Sequence, residues 1–149
     1  MCPQFKVLVA DDSDFDRFLM ERCVLRCPCL KLIGSVPDGL QVLHWLVGEG
    51  AYSDRHSYPL PDLLLLDAIM NGTNALRILT WLHDHPIPEM KVVIFTGSST
   101  PTACEQFLLY GAHACYQKAV DFDELKNDVE QVANHLLVGT YNLAESSLT

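Results

Sequence analysis

Hydrophobic residues fall into five short blocks separated by stretches whose apolar positions recur at helical spacing. The most apolar block is the run of four leucines within Leu63 to Gly72, LLLLDAIMNG. A strand with no polar side belongs at the centre of a parallel sheet covered by helices on both faces. The other blocks are Phe5 to Ala10 (FKVLVA), Leu30 to Val36, Met90 to Thr96 (MKVVIFT) and His113 to Gln117. Between them the spacing predicts helices. The first runs from Asp14 to about Arg26, with Phe15, Phe18, Leu19 and Cys23 on its inner face. The second is capped by Asp38 and reaches about Val47, with Leu40, Leu43, Leu46 and Val47 inward. The third spans Asn74 to His83, with Ala75, Leu79 and Leu82 inward, and the fourth Pro101 to Tyr110. The last runs from Asp121 to about Val138, with Phe122, Leu125, Val129, Val132, Ala133 and Leu136 inward. Its first turn carries Asp121, Asp123 and Glu124, which suit the helix dipole.

Strand and helix thus alternate along the whole chain. That order predicts an α/β fold, a parallel sheet with helices on both faces and right-handed crossovers. The segment Gly48 to Pro61, GEGAYSDRHSYPLP, has turn residues and no periodicity, so it is expected to be a long surface loop, of the kind that is often functional or mobile. The 149 residues suit one domain, taken as 1–138, with a polar, frayed tail over 139–149. The net charge of -9 repels phosphate backbones, and ten scattered Lys and Arg supply no basic patch, so a nucleic-acid partner is not expected. No apolar run approaches the roughly 20 residues that span a bilayer, and Met1 to Lys6 leads directly into a strand without a secretory leader. A cytoplasmic location follows as the expectation, with the six cysteines (Cys2, Cys23, Cys27, Cys29, Cys104, Cys115) reduced and structural.

Charge enters where strands end. Asp11 and Asp12 follow the first strand, Asp67 ends the third, Thr96 the fourth and Lys118 the fifth. In open α/β sheets the C-terminal strand ends form the reactive crevice, so these side chains should meet. Two adjacent acids repel unless something offsets them. Three carboxylates together make a hard-oxygen site suited to Mg2+, and a hydroxyl and an ammonium opposite them suit phosphoryl oxygens. Asp67 would then be a nucleophile that forms an acyl phosphate. Asp14 and Asp16 are expected to be a helix cap and a solvated first turn.

The ordered set VLVADDS, LLLLDAIM, FTGSS and YQKA, at these strand ends, resembles the receiver domain of two-component response regulators from about Phe5 to Leu137. The resemblance implies a flavodoxin-like (βα)5 sheet in the order 2-1-3-4-5. It implies phosphorylation of Asp67 by a histidine kinase, direct Mg2+ binding by Asp12, and binding through water by Asp11. It further implies the Ile69 carbonyl as the third protein ligand, and Thr96 and Lys118 as holders of the phosphoryl group. A receiver is no enzyme beyond Mg2+-dependent self-phosphorylation and self-dephosphorylation. Its output is protein–protein interaction. The fourth helix, fifth strand and fifth helix form the expected docking and homodimer face, including Leu108, Leu109, Tyr110 and Tyr116. The loop text EGAYSDRHSYPLPDLLLLD is similar to the small single-domain regulators that partner phytochrome-type kinases.

Departures keep a second reading open, a pseudo-receiver that binds partners without phosphorylation. Asn71, Asn74 and Ala75 replace the family's usual proline and Asp-Gly pair. Ala119 replaces the usual cis proline after the lysine, and a cis bond there would cost about 2.5 to 4 kcal/mol, so a trans bond is expected. Cys115 stands where many receivers carry an aromatic, and strand alternation turns Tyr116 to the opposite face. A phosphatase of the haloacid-dehalogenase type would need a DxD nucleophile on the first strand, which DDS does not provide.

Overall fold

The leucine run forms the middle strand of a five-stranded parallel sheet. The computed structural model describes residues 4–71, 73–97, 101–119 and 121–138. Its strands β1 (Phe5–Ala10), β2 (Leu30–Val36), β3 (Leu63–Asp67), β4 (Lys91–Thr96) and β5 (Ala114–Gln117) lie in the order β2-β1-β3-β4-β5. Helices α1 (Asp14–Leu25), α2 (Gly39–Val47), α3 (Ala75–Asp84) and α4 (Pro101–Leu109) connect them, and α5 (Phe122–Val132) follows the last strand. This is the flavodoxin-like arrangement. Strand pleat divides the core into two layers. Leu8, Leu64, Leu66 and Ile94 face the side of α2, α3 and α4, whereas Val7, Val9, Leu65, Val93 and Phe95 face α1 and α5.

In two helices the buried face is rotated from the expected one, although Leu19, Cys23, Leu43 and Leu46 pack inward as expected. In α1 the inner stripe is Met20, Cys23 and Val24, while Phe15 and Phe18 are 68% and 52% exposed. In α2 it is Gly39, Val42, Trp45 and Leu46, with Leu40 and Val47 outward. Both true stripes obey the i, i+3, i+4 rule as well as the expected ones do, so spacing alone could not choose between them. The last helix has the expected extent, but Ala133–Val138 continues as wider π-type turns. There Leu137 is buried in the core and Leu136 is partly buried against it. Residues 139–149, expected as a frayed tail, lie outside the described residues.

Side chains tie the segment after α2 to the helix that precedes it. Gly48, at φ 82°, ends the helix in the left-handed conformation that a side chain would resist. The Arg55 guanidinium then turns back and donates to the carbonyls of Trp45 (2.7 Å), Leu46 (2.7 Å) and Tyr58 (3.1 Å). Trp45 donates from Nε1 to the Pro59 carbonyl (2.9 Å) and packs edge-on against Tyr58. Tyr52 donates its hydroxyl to Gln41 (2.8 Å). The indole lies over β2 where Gly34 leaves room for it: a Cβ at Gly34 would stand 2.4 Å from Trp45 Cη2. Gly34→Ala is therefore expected to cost about 1 to 3 kcal/mol and to lower the thermal midpoint by roughly 2 to 10 °C. Calorimetry checks this, and the loss should shrink in a Trp45→Phe background, which removes the obstructing ring.

The cysteines also depart from expectation. Cys104 of α4 and Cys115 of β5 form a disulfide, with Cα atoms 5.5 Å apart. No spacing rule signalled it, because the two residues meet only when the crossover lays α4 over β5. Cys23 and Cys27 are buried thiols in the layer beneath α1. As expected, no cis peptide bond occurs among the described residues, including that before Ala119.

Candidate functional site

Parallel strands of similar length end at one edge, and their pairing aligns the polar residues that terminate them. Asp67 ends β3 in register with Phe95, one residue before Thr96. Asp11 continues β1, its N–H donating to the Val36 carbonyl (3.2 Å). Lys118 follows β5, its N–H donating to the Thr96 carbonyl (2.7 Å). Asp11, Asp67 and Thr96 are the buried polar side chains among the described residues. Burying acids is costly unless they are paired.

The pairing comes from Lys118. Its Nζ lies 2.9 Å from Asp16 Oδ2, 3.1 Å from Asp11 Oδ2 and 3.4 Å from Asp67 Oδ1. The other Asp11 oxygen accepts from the Ser13 N–H (2.9 Å). Asp12 is exposed, yet one carboxylate oxygen from each of Asp11, Asp12 and Asp67 lies within 4.8 Å of the others. This grouping of hard oxygens fits a small divalent cation. Burial, and next the Asp11 charge, push the Asp67 carboxyl up to about 7 against the pull of Lys118. Burial also opposes the charge on Lys118, but hydrogen bonding to Asp16 and the nearby Asp67 and Asp11 outweigh it and hold the ammonium well above its ordinary range.

Asp11, Asp12, Asp67, Thr96 and Lys118 therefore gather as the sequence predicts. Ile69 lies two residues beyond Asp67 in a short antiparallel pair, Ile69–Met70 with Thr73–Asn74. Its side chain is 74% exposed, while Met70 is buried beneath it. The Ala68 N–H donates to the Phe95 carbonyl (2.9 Å) and the Ala75 N–H to the Ala68 carbonyl (2.9 Å), which fixes this turn beside the acids. Asn74 caps α3 by accepting from the Arg77 N–H (3.3 Å).

Asp16 is the residue that sequence reading missed. Ser13, not Asp14, caps α1, Asp14 pairs with Arg17 (2.7 Å), and Asp16 holds Lys118. A signal for it existed: Asp16 stands four residues before Met20 and seven before Cys23, at the head of the true inner stripe. By contrast, the His83-Asp84-His85 run forms no cluster. His85 stacks on Trp81, and the described residues hold no metal-competent group besides the three acids. His113 takes a structural role, its Nδ1 accepting from the Val92 N–H (3.0 Å). Beside Lys118 a groove of about 240 Å³ opens between α1 and α5, lined by Phe15, Asp16, Leu19 and Phe122. On β5, Tyr116 stacks on Phe95 (5.6 Å between ring centroids) towards the α5 side, with Cys115 on the other face as alternation requires.

Residues 7–130 match the family model of the response regulator receiver domain. The two-component response regulator ARR17 of Arabidopsis thaliana is 28% identical over 137 residues, covering 90% of this chain and 86% of that protein. Longer protein-glutamate methylesterases also match, and the chain spans 31% of the one from Cereibacter sphaeroides. Among solved structures, response regulator RPA3017 in red light signaling of R. palustris superposes with a TM-score of 0.77 at 22% identity, covering 86% of this chain and 90% of that one. The Mn(2+)-bound form of response regulator Rcp1 gives 0.76 at 21% identity, covering 89% and 94%. At these identities the two structures speak for the fold alone.

Proposed function

The chain belongs to the response regulator receiver domain family, and from that premise we propose that it is a phosphoryl-accepting switch, modified on Asp67 by a histidine kinase and read out by another protein. The unit that acts is residues 1–138. The observation that carries this reading is the approach of Lys118 Nζ to both Asp67 and Asp11, with Thr96 buried one residue past the strand partner of Asp67.

In the proposed transfer, an Asp67 carboxylate oxygen attacks the phosphorus of a phosphohistidine, the P–O bond forms, and the P–N bond breaks as the imidazole leaves. Lys118 turns its ammonium from carboxylate to phosphoryl oxygens, and the Thr96 hydroxyl donates to another of them. Asp12 and Asp67, the Ile69 carbonyl, and Asp11 through water would hold Mg2+, which supplies charge neutralisation when bound. The modification adds negative charge beside Thr96 and biases the loop that follows β4. A small phosphodonor can stand in for the kinase, so self-phosphorylation and self-dephosphorylation are the only turnover proposed.

The donor reaches Asp67 over α1, where exposed Phe15 and the groove beside Lys118 offer an apolar seat. By analogy with the red-light regulator above, that donor is a phytochrome-type kinase. The output face comprises α4, β5 and α5, where Leu108, Leu109 and Tyr110 are exposed, and the same face serves a homodimer. The acidic net charge of -9 disfavours nucleic acid as a partner. No helix among the described residues is long and apolar enough to cross a membrane, and the proposed site of action is the cytoplasm.

Incubation with acetyl phosphate and Mg2+, followed by intact-mass measurement, tests the reading. A phosphoryl adduct that Asp67→Asn abolishes is the expected result. An unmodified chain under the same conditions would favour the phosphorylation-independent binding module.

A further inference from the structure

The fourth helix is held to the sheet differently from the others. Each of α1, α2, α3 and α5 buries at least three residues against the core. Among the described side chains of α4 only Phe107 is buried, and Leu108 and Leu109 point outward, 46% and 83% exposed. What α4 has in place of a buried stripe is the Cys104–Cys115 bond to β5, made at a Cα separation of 5.5 Å that suits a disulfide. Both cysteines are only half-buried, so a small thiol can reach them. A disulfide in a cytoplasmic chain is characteristically transient and redox-sensing.

We propose that Cys104 and Cys115 form a thiol–disulfide switch that fixes α4 to β5 when oxidised and releases the helix when reduced. Its consequence for signalling rests on the phosphoacceptor reading above, because α4 belongs to the output face that phosphorylation would move. The reductant is a dithiol. One of its thiolates attacks a sulfur of the bridge to give a mixed disulfide and one cysteine thiolate. Its second thiol then displaces the other cysteine, leaving two cysteine thiols on the chain and a disulfide on the reductant. The oxidant is a peroxide. Hydrogen peroxide converts one thiol to a sulfenic acid with loss of water, and the second thiol displaces a further water as the bridge re-forms.

Reduction leaves α4 resting on Phe107 and the partly buried Ala103, so its local opening should become far more frequent. Closing an 11-residue separation removes enough chain freedom for an effect of about 10- to 100-fold. The test is backbone hydrogen exchange of the full chain, peroxide-oxidised and dithiothreitol-reduced, with non-reducing peptide mapping of the bridge. The expected result is a Cys104–Cys115 linked peptide in the oxidised sample and faster α4 exchange by that factor on reduction, with α1 and α3 unchanged. Cys104→Ser and Cys115→Ser should each show the fast α4 exchange in both states. Equal α4 exchange in the two states, or peroxide-treated protein whose Cys104 and Cys115 both remain open to alkylation, would overturn the proposal. Acetyl phosphate labelling of the two forms is scored separately: failure to label either refutes the phosphoacceptor reading and leaves the exchange result to decide this one.

Discussion

In magnesium-free buffer at pH 8, Asp67→Asn is expected to melt roughly 5 to 15 °C above the unsubstituted chain. Asp67 is 7% exposed, and its carboxyl is raised to about 7, first by burial and then by Asp11. In the unfolded chain the same group titrates near 3.9. Below pH ~4 it is protonated in both states and costs nothing. Between pH ~4 and ~7 the unfolded state gives up its proton while the folded state keeps it, so stability falls as pH rises. Above pH ~7 the folded chain carries the full charge and the loss is complete, on the order of 2 to 4 kcal/mol. An asparagine never ionises and escapes this loss, so its advantage should be absent near pH 4, grow through neutrality and level off by pH 8. Conversion to a melting shift uses about 2 to 4 °C per kcal/mol for a chain of this size. Scanning calorimetry from pH 4 to 8 checks both the gap and its slope; a gap that is constant with pH would show that ionisation of the buried Asp67 is not its source. Added Mg2+ should raise the unsubstituted chain more than the variant, because the variant has one carboxylate fewer to offset.

Lys118→Met carries the opposite sign. Methionine keeps much of the side-chain volume but leaves Asp11, Asp16 and Asp67 without the ammonium that lies within 3.4 Å of each. Stranding buried charge in this way costs several kcal/mol when the pair is fully enclosed. The Lys118 side chain is 27% exposed, so solvent screening trims the expected loss to about 2 to 4 kcal/mol at pH 8. The loss has a ceiling, since Asp67 can escape by staying protonated. Removing the lysine therefore moves the Asp67 titration further up, and the variant should lose more stability than the unsubstituted chain as pH rises from 5 to 8. Adding Asp67→Asn to Lys118→Met should recover part of the deficit, and chemical denaturation of the four proteins in the cycle gives the coupling, expected at about 1 to 3 kcal/mol. An additive cycle would mean that the 3.4 Å approach contributes nothing. Under the phosphoacceptor reading the lysine variant should also label poorly with acetyl phosphate, whereas a purely structural role would leave labelling intact.

Most of the fold could be read from the chain because the two central strands, LLLLD and KVVIFT, are nearly unbroken apolar blocks that end on a polar residue. Leu63 to Leu66 followed by Asp67 fixes both the centre of the sheet and the edge at which the site lies. The grouping of the candidate residues was legible for the same reason: they are strand ends, and parallel pairing brings strand ends together whatever lies between them. What escaped depends on rotation and tertiary approach. Phe15 and Phe18 compete with Met20 and Val24 for the inward face of α1, and only packing against α5 and the sheet settles the contest. The error on that helix also hid Asp16, since an acid on a supposedly outward face reads as solvated. Arg55 is similar. Nothing near it in the sequence says that its donors will satisfy two carbonyls at the end of α2. The Cys104–Cys115 bridge lies furthest from view, since it links a helix to the strand beneath it.

One turn of α1 carries two neighbours of opposite character, Phe15 open to water and Asp16 bound to Lys118. Phe15, Asp16 and Lys118 line one groove, so a molecule that filled it over the phenyl ring would also strip water from the ion pair, and a drier ion pair is harder to part. A visitor that merely covered the ring would then tighten the hold on the lysine, and one that brought its own anion to the ammonium would loosen it. Selectivity among visitors can arise from that trade alone, without any shape that fits one of them better than another.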